Sequence, residues 1–273
     1  MKQPNLFFKM NFWGLTCLVF LGALTAQAQS TTELGIRGGA TFSHGYAVIP
    51  TQSLAQGTEV PRIRNTNNGI GVGYLGSVWI RKKSDRFFLQ AEVNYSTLFL
   101  KQKAPIERID VTAATEFGVS LPINLPPGTL FASLNTTSES TLNTITIPVY
   151  VGKEWQEGKW RAYGGPTFLF THKAEAIRNA SGIVGPNASI NFPGYTITNI
   201  TDRIDLTNAE QAGILQVKNF NFGIEVGAGL TLLKRLEVDV RYGLPIGGVF
   251  NDSGITGFVG YATLTLGYKL VNF

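Results

Sequence analysis

Hydrophobic and polar residues alternate along much of this chain with a period of two. From Phe87 to Phe99, the residues Phe87, Leu89, Ala91, Val93, Tyr95, Thr97 and Phe99 share one parity. Phe88, Gln90, Glu92, Asn94 and Ser96 share the other. Successive side chains of a strand point to opposite faces, so this is a strand with one apolar face. The same pattern returns over Phe220–Leu232 and Leu236–Leu244, where Glu225, Glu237, Asp239 and Arg241 fall on the non-apolar parity. Five further segments fit less regularly: Leu34–Ser43, Gly69–Arg81, Ile145–Glu154, Trp160–Thr171 and Gly257–Leu270. That makes eight predicted strands.

A soluble sandwich would also alternate, but its outer face would carry many lysines and glutamates. Here the second face is mostly glycine, threonine and a few isolated charges. This suits a narrow lumen, with lipid against the apolar face. The longest alternating runs also reach the roughly 9–11 residues that a tilted strand needs to cross a bilayer. Backbone groups cannot go unpaired in hydrocarbon, so such strands must close on themselves. The expectation is all-β: an eight-stranded antiparallel up-and-down transmembrane β-barrel. Links alternate in length. Lys82–Asp85, Gln156–Lys159 and Leu233–Arg235 are short, charged periplasmic turns, with Trp155 and Trp160 flanking one of them as girdle aromatics. His44–Asn68, Lys103–Asn143 and Lys173–Val217 are predicted as long extracellular loops, with a shorter one near Phe250–Gly254. Those loops include the apolar stretches Phe117–Leu125 and Ile190–Tyr195, which would fold over the mouth or meet a partner.

The N-terminus sets the compartment. Lys2 and Lys9 precede the uncharged, mostly apolar stretch Phe12–Leu24, and Ala26-Gln27-Ala28 is a small-x-small cleavage pattern. Residues 1–28 read as a signal peptide cut between Ala28 and Gln29, and 29–273 as the outer-membrane barrel domain. The only cysteine, Cys17, leaves with the signal, which excludes a disulfide or a cysteine nucleophile from the mature chain. Loss of Lys2 and Lys9 lowers the formal net charge from +5 to +3. That charge is spread out and has no phosphate-neutralising cluster, so nucleic acid is not an expected partner.

The segments Leu34-Gly35-Ile36-Arg37-Gly38-Gly39-Ala40, Phe88-Leu89-Gln90-Ala91-Glu92-Val93-Asn94-Tyr95-Ser96, Ile147-Pro148-Val149-Tyr150-Val151-Gly152 and Leu266-Gly267-Tyr268-Lys269-Leu270 resemble the PorT-like outer-membrane β-barrel family of Bacteroidetes. The resemblance runs through nearly all of the mature chain. It implies a small eight-stranded barrel in a family whose founding member is linked to protein secretion, a role that does not transfer by motif. Terminal Phe273 resembles the aromatic close read by barrel-assembly machinery, although Val271-Asn272-Phe273 extends past the usual Gly-Tyr-Lys-apolar end.

Three functions remain compatible with these residues. The first is a non-enzymatic barrel scaffold presenting long loops to a protein or glycan partner, in envelope or secretion-related assembly. The second is a rim enzyme, a hydrolase or acyltransferase using His44 or His172. A rim enzyme would need a base within about 3 Å of the proton it takes. Ser43 and His44 are neighbours on a strand and so point apart. The third is a narrow pore. Arg37, Glu92, Glu225, Glu237, Asp239 and Arg241 would form a lumen ion-pair network, a structural plug in a barrel that eight strands leave barely wide enough for side chains. No cofactor and no metal site is expected, since no cluster has ligand spacing. Mass spectrometry of the outer-membrane fraction should find a mature chain beginning at Gln29. A membrane-bound chain retaining Met1, or acylated at Cys17, would overturn the leader assignment.

Overall fold

The computed structural model describes residues 30–53, 59–110, 130–186 and 195–273. Ala28, Gln29, and the apolar stretches Phe117–Leu125 and most of Ile190–Tyr195 lie outside the described residues. Among the described residues there are twelve strands: β1 (Ser30–Ile49), β2 (Gln52–Ser53), β3 (Glu59–Val60), β4 (Ile63–Asn67), β5 (Gly71–Ser84), β6 (Phe87–Asp110), β7 (Leu130–Trp155), β8 (Trp160–Pro186), β9 (Tyr195–Asp205), β10 (Phe220–Leu232), β11 (Leu236–Ile246) and β12 (Thr256–Asn272). Eight of them, β1, β5, β6, β7, β8, β10, β11 and β12, pair in turn, and β12 returns to β1. The ring is antiparallel throughout and closes on itself across the lipid band, the closure that lipid demands of a sheet.

Two of the short turns, Gln156–Lys159 and Leu233–Arg235, match their sequence assignments; in the third, Lys82–Ser84 belongs to β5 and the turn is only Asp85 and Arg86. Leu233 and Lys234 both have positive φ (48° and 62°), as do Gln156 and Glu157 (51° and 57°). Positive φ at successive turn residues matches the right-handed strand twist, which turns of ordinary hand would oppose.

Side-chain parity divides the wall into two surfaces. On β6, Phe87, Leu89, Val93 and Tyr95 are exposed, whereas Phe88, Gln90, Glu92 and Asn94 are buried. Exposed apolar residues on every barrel strand, among them Ile36, Val78, Val151, Ile224, Val240 and Leu266, complete the lipid-facing band. The band has readable limits. Outward positions on β6 change from Tyr95 to Lys101 and Lys103, and on β7 from Ile145 to Thr141, Glu139 and Thr137. Trp155 and Trp160 pair across the Gln156–Lys159 turn at the opposite limit.

The links at the other end depart from expectation. Much of what reads as loop in Lys103–Asn143 and Lys173–Val217 is strand: β6, β7 and β8 run on past the lipid band, and β9 pairs with β8. β7 has 26 residues and β8 has 27, more than twice a membrane crossing. At about 3.3 Å per residue the surplus projects tens of ångströms from the membrane surface. These segments carry no strand signal in the sequence because threonine, serine and asparagine replace valine and leucine on their outer face, as water requires. Their inner face stays apolar or small: Leu98, Leu100, Leu142, Ala174, Ala176 and Ile204 form one buried cluster with Leu206, Val217 and Val249. Replacing Glu175–Thr207 with a flexible linker would therefore strip the cover from that cluster and cost more than loop-closure entropy alone.

Above the cluster the chain doubles back over the mouth. Asn208 caps the short helix α1 (Ala209–Ala212), accepting from the backbone N–H of Glu210 at 2.8 Å. Thr207 donates its hydroxyl and its backbone N–H to Asp205, which holds that carboxyl below its ordinary range. Leu206 and Val217 meet through a 2.9 Å backbone hydrogen bond, and Val217 bridges to Phe250.

The two surfaces predict unequal damage from neighbouring substitutions. Val93→Arg places a charge in lipid and should destabilise the barrel by about 2–4 kcal/mol near the midplane. Asn94→Arg faces the lumen and should cost less. Gel mobility of unboiled samples after folding into vesicles measures both, and equal damage would show the faces to be wrongly assigned.

Candidate functional site: a charged lumen

The parity that turns valine and leucine to lipid turns most strand charges in the lipid-spanning part inward, while Lys153 stays outward over the rings of Phe87 and Trp155. Four arginines (Arg37, Arg81, Arg161, Arg241) and two lysines (Lys83, Lys269) meet five glutamates (Glu33, Glu92, Glu154, Glu225, Glu237) and Asp239. Cations and carboxylates are equal in number, so the filled lumen carries no net formal charge. That balance is what allows so many ions to share a space cut off from water.

The network has levels along the barrel axis. At the periplasmic end Lys83 holds Glu33 and Glu154, each at 2.9 Å, and Lys269 reaches Glu33 at 3.2 Å. Next, Glu237 receives Arg81 at 2.7 Å and Arg161 at 3.0 Å. Asp239 is bound by Arg161 through two nitrogens, at 2.6 and 3.0 Å, and by Arg37 at 3.0 Å. Glu92 joins Arg37, at 2.5 Å, to Arg241, at 2.8 Å, and also accepts from Gln90. Most of these side chains have no solvent exposure.

Aromatic rings fill the space that charges cannot. Arg81 lies over Trp79 at 4.7 Å and over Phe88 at 5.0 Å. Such stacking suits a weakly hydrated guanidinium. Tyr150 donates to Glu225 at 2.5 Å, Tyr261 to the same carboxylate at 3.1 Å, and Tyr163 to Asp239 at 2.7 Å.

Glycines make the close approaches possible. A methyl at Gly229 would sit 2.2 Å from Asp239 Oδ1 and 2.6 Å from Arg161 Nε, so the Arg161–Asp239 fork needs its absence. Gly227 lies opposite Arg241 in the β10–β11 register and gives room to Arg241 and the Tyr163 ring.

All six residues read from sequence as a network, Arg37, Glu92, Glu225, Glu237, Asp239 and Arg241, lie in this lumen, and Arg241 reaches Glu225 at 3.6 Å. Glu33, Arg81, Lys83, Glu154, Arg161, Lys269 and the three tyrosines were missed. Parity could have found several of them. Arg81 shares the inward parity of Trp79, and Lys269 lies between outward Tyr268 and Leu270. Arg161 lies in the predicted strand Trp160–Thr171, whose alternation is too irregular to mark it as inward.

Towards the extracellular side the charges give way to hydroxyls and amides. Thr41, Asn94, Ser96, Thr144, Thr146 and Thr263 surround a space of about 10 Å³, room for a single water molecule. Apolar residues close the level above.

The two histidines sit inside strands, not at loop bases as the sequence suggested: His44 in β1 and His172 in β8. Ser43 is buried and donates to the Phe99 carbonyl at 2.6 Å, while His44 is on the outward parity. There His44 Nε2 lies 3.1 Å from the Tyr242 hydroxyl and its ring lies 5.5 Å from that of Phe258. His172 packs against Tyr95 at 5.7 Å. Among the described residues no group of three or more histidine, cysteine, aspartate or glutamate side chains could hold a metal ion.

A closed ring of eight antiparallel strands, apolar outside and ionic within, defines an integral barrel of the outer membrane. The chain belongs to the family described as outer membrane protein beta-barrel domain, which matches residues 26–251. No match was found among curated proteins. Several solved structures are similar to this chain at low identity. Ail, the attachment invasion locus protein of Yersinia pestis, is 10% identical over 86% of this chain and 99% of its own, with a TM-score of 0.29. Neisserial surface protein A is 11% identical over 88% and 99%, also at 0.29. The outer membrane protease OmpT from Escherichia coli is 11% identical over 88% and 96%, again at 0.29.

Removing one ion from so dry a network strands its partners. Arg241→Ala leaves Glu92 and Glu225 short of a cation and should destabilise the folded barrel by about 3–5 kcal/mol. Urea unfolding in vesicles would report this, and a loss under 1 kcal/mol would mean that the lumen is wetter than the geometry implies.

Proposed function

We propose that this protein is a sealed, non-enzymatic scaffold of the outer membrane that presents a raised β-sheet to a protein or glycan partner. The observation that carries this reading is the continuation of β6, β7 and β8, joined by β9, well beyond the lipid band. A barrel that only needed to span the membrane would end its strands near residues 99, 145 and 171. The surplus offers outward polar positions such as Asn135, Thr137 and Glu139, all exposed. The ionic filling supports a closed lumen rather than a narrow pore, because any solute path must break several buried ion pairs.

The rim-enzyme alternative is weakened by position. Ser43 and His44 face opposite sides of the wall, and His44 and His172 lie on different sectors of the barrel with aromatic neighbours. The PorT-like resemblance supports a place in envelope or secretion-related assembly in a bacterium of the Bacteroidetes. The same reading takes residues 1–28 as the exported leader and the assembly machinery as the biogenesis partner.

A photo-crosslinking residue placed at Thr137 in cells should capture a discrete partner, while the same residue at Val151 should capture lipid alone. A double His44→Ala, His172→Ala variant should keep that capture. Planar bilayers with the wild-type protein should show no steady open channel. Large stable currents, or loss of capture in the histidine variant, would overturn the scaffold reading.

A further inference from the structure

The barrel wall is incomplete at one place. The ladder between β11 and β12 ends at Gly243 opposite Tyr261. Beyond it, β11 continues to Ile246 bonded only to β10, with Ile246 opposite Phe222. On the other side, β12 runs from Thr256 to Gly260 bonded only to β1. Extending the register would set Pro245 against Val259, and proline has no N–H to give a ladder.

The height of this gap follows from strand length. β11 has 11 residues, one tilted membrane crossing, so its last residues lie at the outer interface. Outward neighbours agree: Ile246 is exposed, and Phe258 stacks on exposed Tyr46 at 6.2 Å.

Two cavities meet behind the gap. One of about 130 Å³ lies in it, lined by Pro245, Gly247, Gly248, Ile255, Gly257 and Phe258. The other, of about 100 Å³, lies deeper in the extracellular half among Leu100, Leu142, Ala176, Ile204, Leu206 and Val217. Val249, Phe250 and Val259 line both and form the partition between them. Gly247 and Gly248 have φ of 79° and 72°, a left-handed pair that swings the chain from the wall into the mouth and places Val249 and Phe250 there. Lys218 fixes the bend by donating from Nζ to the Gly247 carbonyl at 2.7 Å.

We propose that the extracellular half of the barrel binds a single alkyl chain, which enters sideways from the outer membrane interface between β11 and β12. Shape selects the ligand class. An apolar cavity of about 150 Å³ accepts one benzene ring. Two smaller chambers in sequence, joined at side chains that can rotate, suit a flexible chain and not a rigid ring system. The deeper chamber is aliphatic at its base. Its polar lining, including the Arg178–Asp202 pair at 3.0 Å, gives an amphiphile's headgroup somewhere to remain hydrated. A full diacyl lipid would not fit.

The test uses the barrel in phosphatidylcholine vesicles and decanoic acid carrying a diazirine on its terminal carbon. After irradiation, label should appear on the segment Val249–Val259 and around Leu100, and unlabelled decanoic acid should displace it. Ala176→Phe should lower that labelling at least tenfold while the protein keeps its folded gel mobility. Ala104→Leu fills the same chamber if phenylalanine prevents folding. Pro245→Val, which supplies the missing N–H, should slow labelling several-fold without lowering its plateau. Label confined to Val240, Ile246 and Leu264, indifferent to decanoic acid and to the chamber substitutions, would overturn the binding site. An unchanged labelling rate in Pro245→Val would overturn the lateral route.

Discussion

Everything in this molecule follows from the rule that no backbone N–H or carbonyl goes unpaired in hydrocarbon. The rule requires the ring of strands to close, and closure gives each residue one of two directions, lipid or lumen. Once Val93 and Val240 take the lipid side, Glu92, Asp239 and Arg241 have nowhere to go but inward. An eight-stranded lumen is too narrow to hydrate them. They must therefore neutralise one another, and the equal numbers of cations and carboxylates are the form that neutralisation takes. The ion network is thus a consequence of the backbone constraint as much as a feature of its own.

The interior is graded along its axis. Ion pairs occupy the periplasmic half, hydroxyls and amides follow, and aliphatic side chains line the extracellular half beneath the helix α1 and the Gly247–Ile255 bend. The rule also relaxes with height. Within the band the ladder is continuous; at the outer interface, where water and headgroups can serve backbone groups, β11 and β12 part at Pro245. Above the band β6 to β9 continue as an open sheet, which only an aqueous surrounding permits. One chain thus runs from an obligatory closed ring to an optional extended sheet, and the change falls where the solvent changes.

This grading also separates stability from function. The charged half is rigid, buried and self-satisfied, and offers no group to a ligand from outside. The raised sheet and the apolar chamber face the exterior and are built from residues the membrane crossing does not need. Such a division lets the extracellular part vary while the ring that carries it stays closed.

Much of this was legible in the residues alone. Strict alternation over Phe87–Phe99, Phe220–Leu232 and Leu236–Leu244 determined strand and face, because lipid imposes a period of two on any wall it touches, and five less regular segments completed the count of eight. The same parity marked Glu92, Glu225, Glu237, Asp239, Arg37 and Arg241 as inward. Alternation names a face but not a neighbour. Which cation meets which carboxylate depends on register across strands remote in sequence, as with Arg37 and Glu237, 200 residues apart. Arg161 and Lys269 became partners only when the ring closed. The strands beyond the membrane were hidden for a related reason: with water outside, Thr137, Glu139 and Asn143 carry no hydrophobic signal, and only pairing with β6 and β8 makes them sheet. The sequence by itself determined what lipid dictates; tertiary structure alone decided what register and strand pairing dictate, including the gap at Pro245 and the chamber behind it.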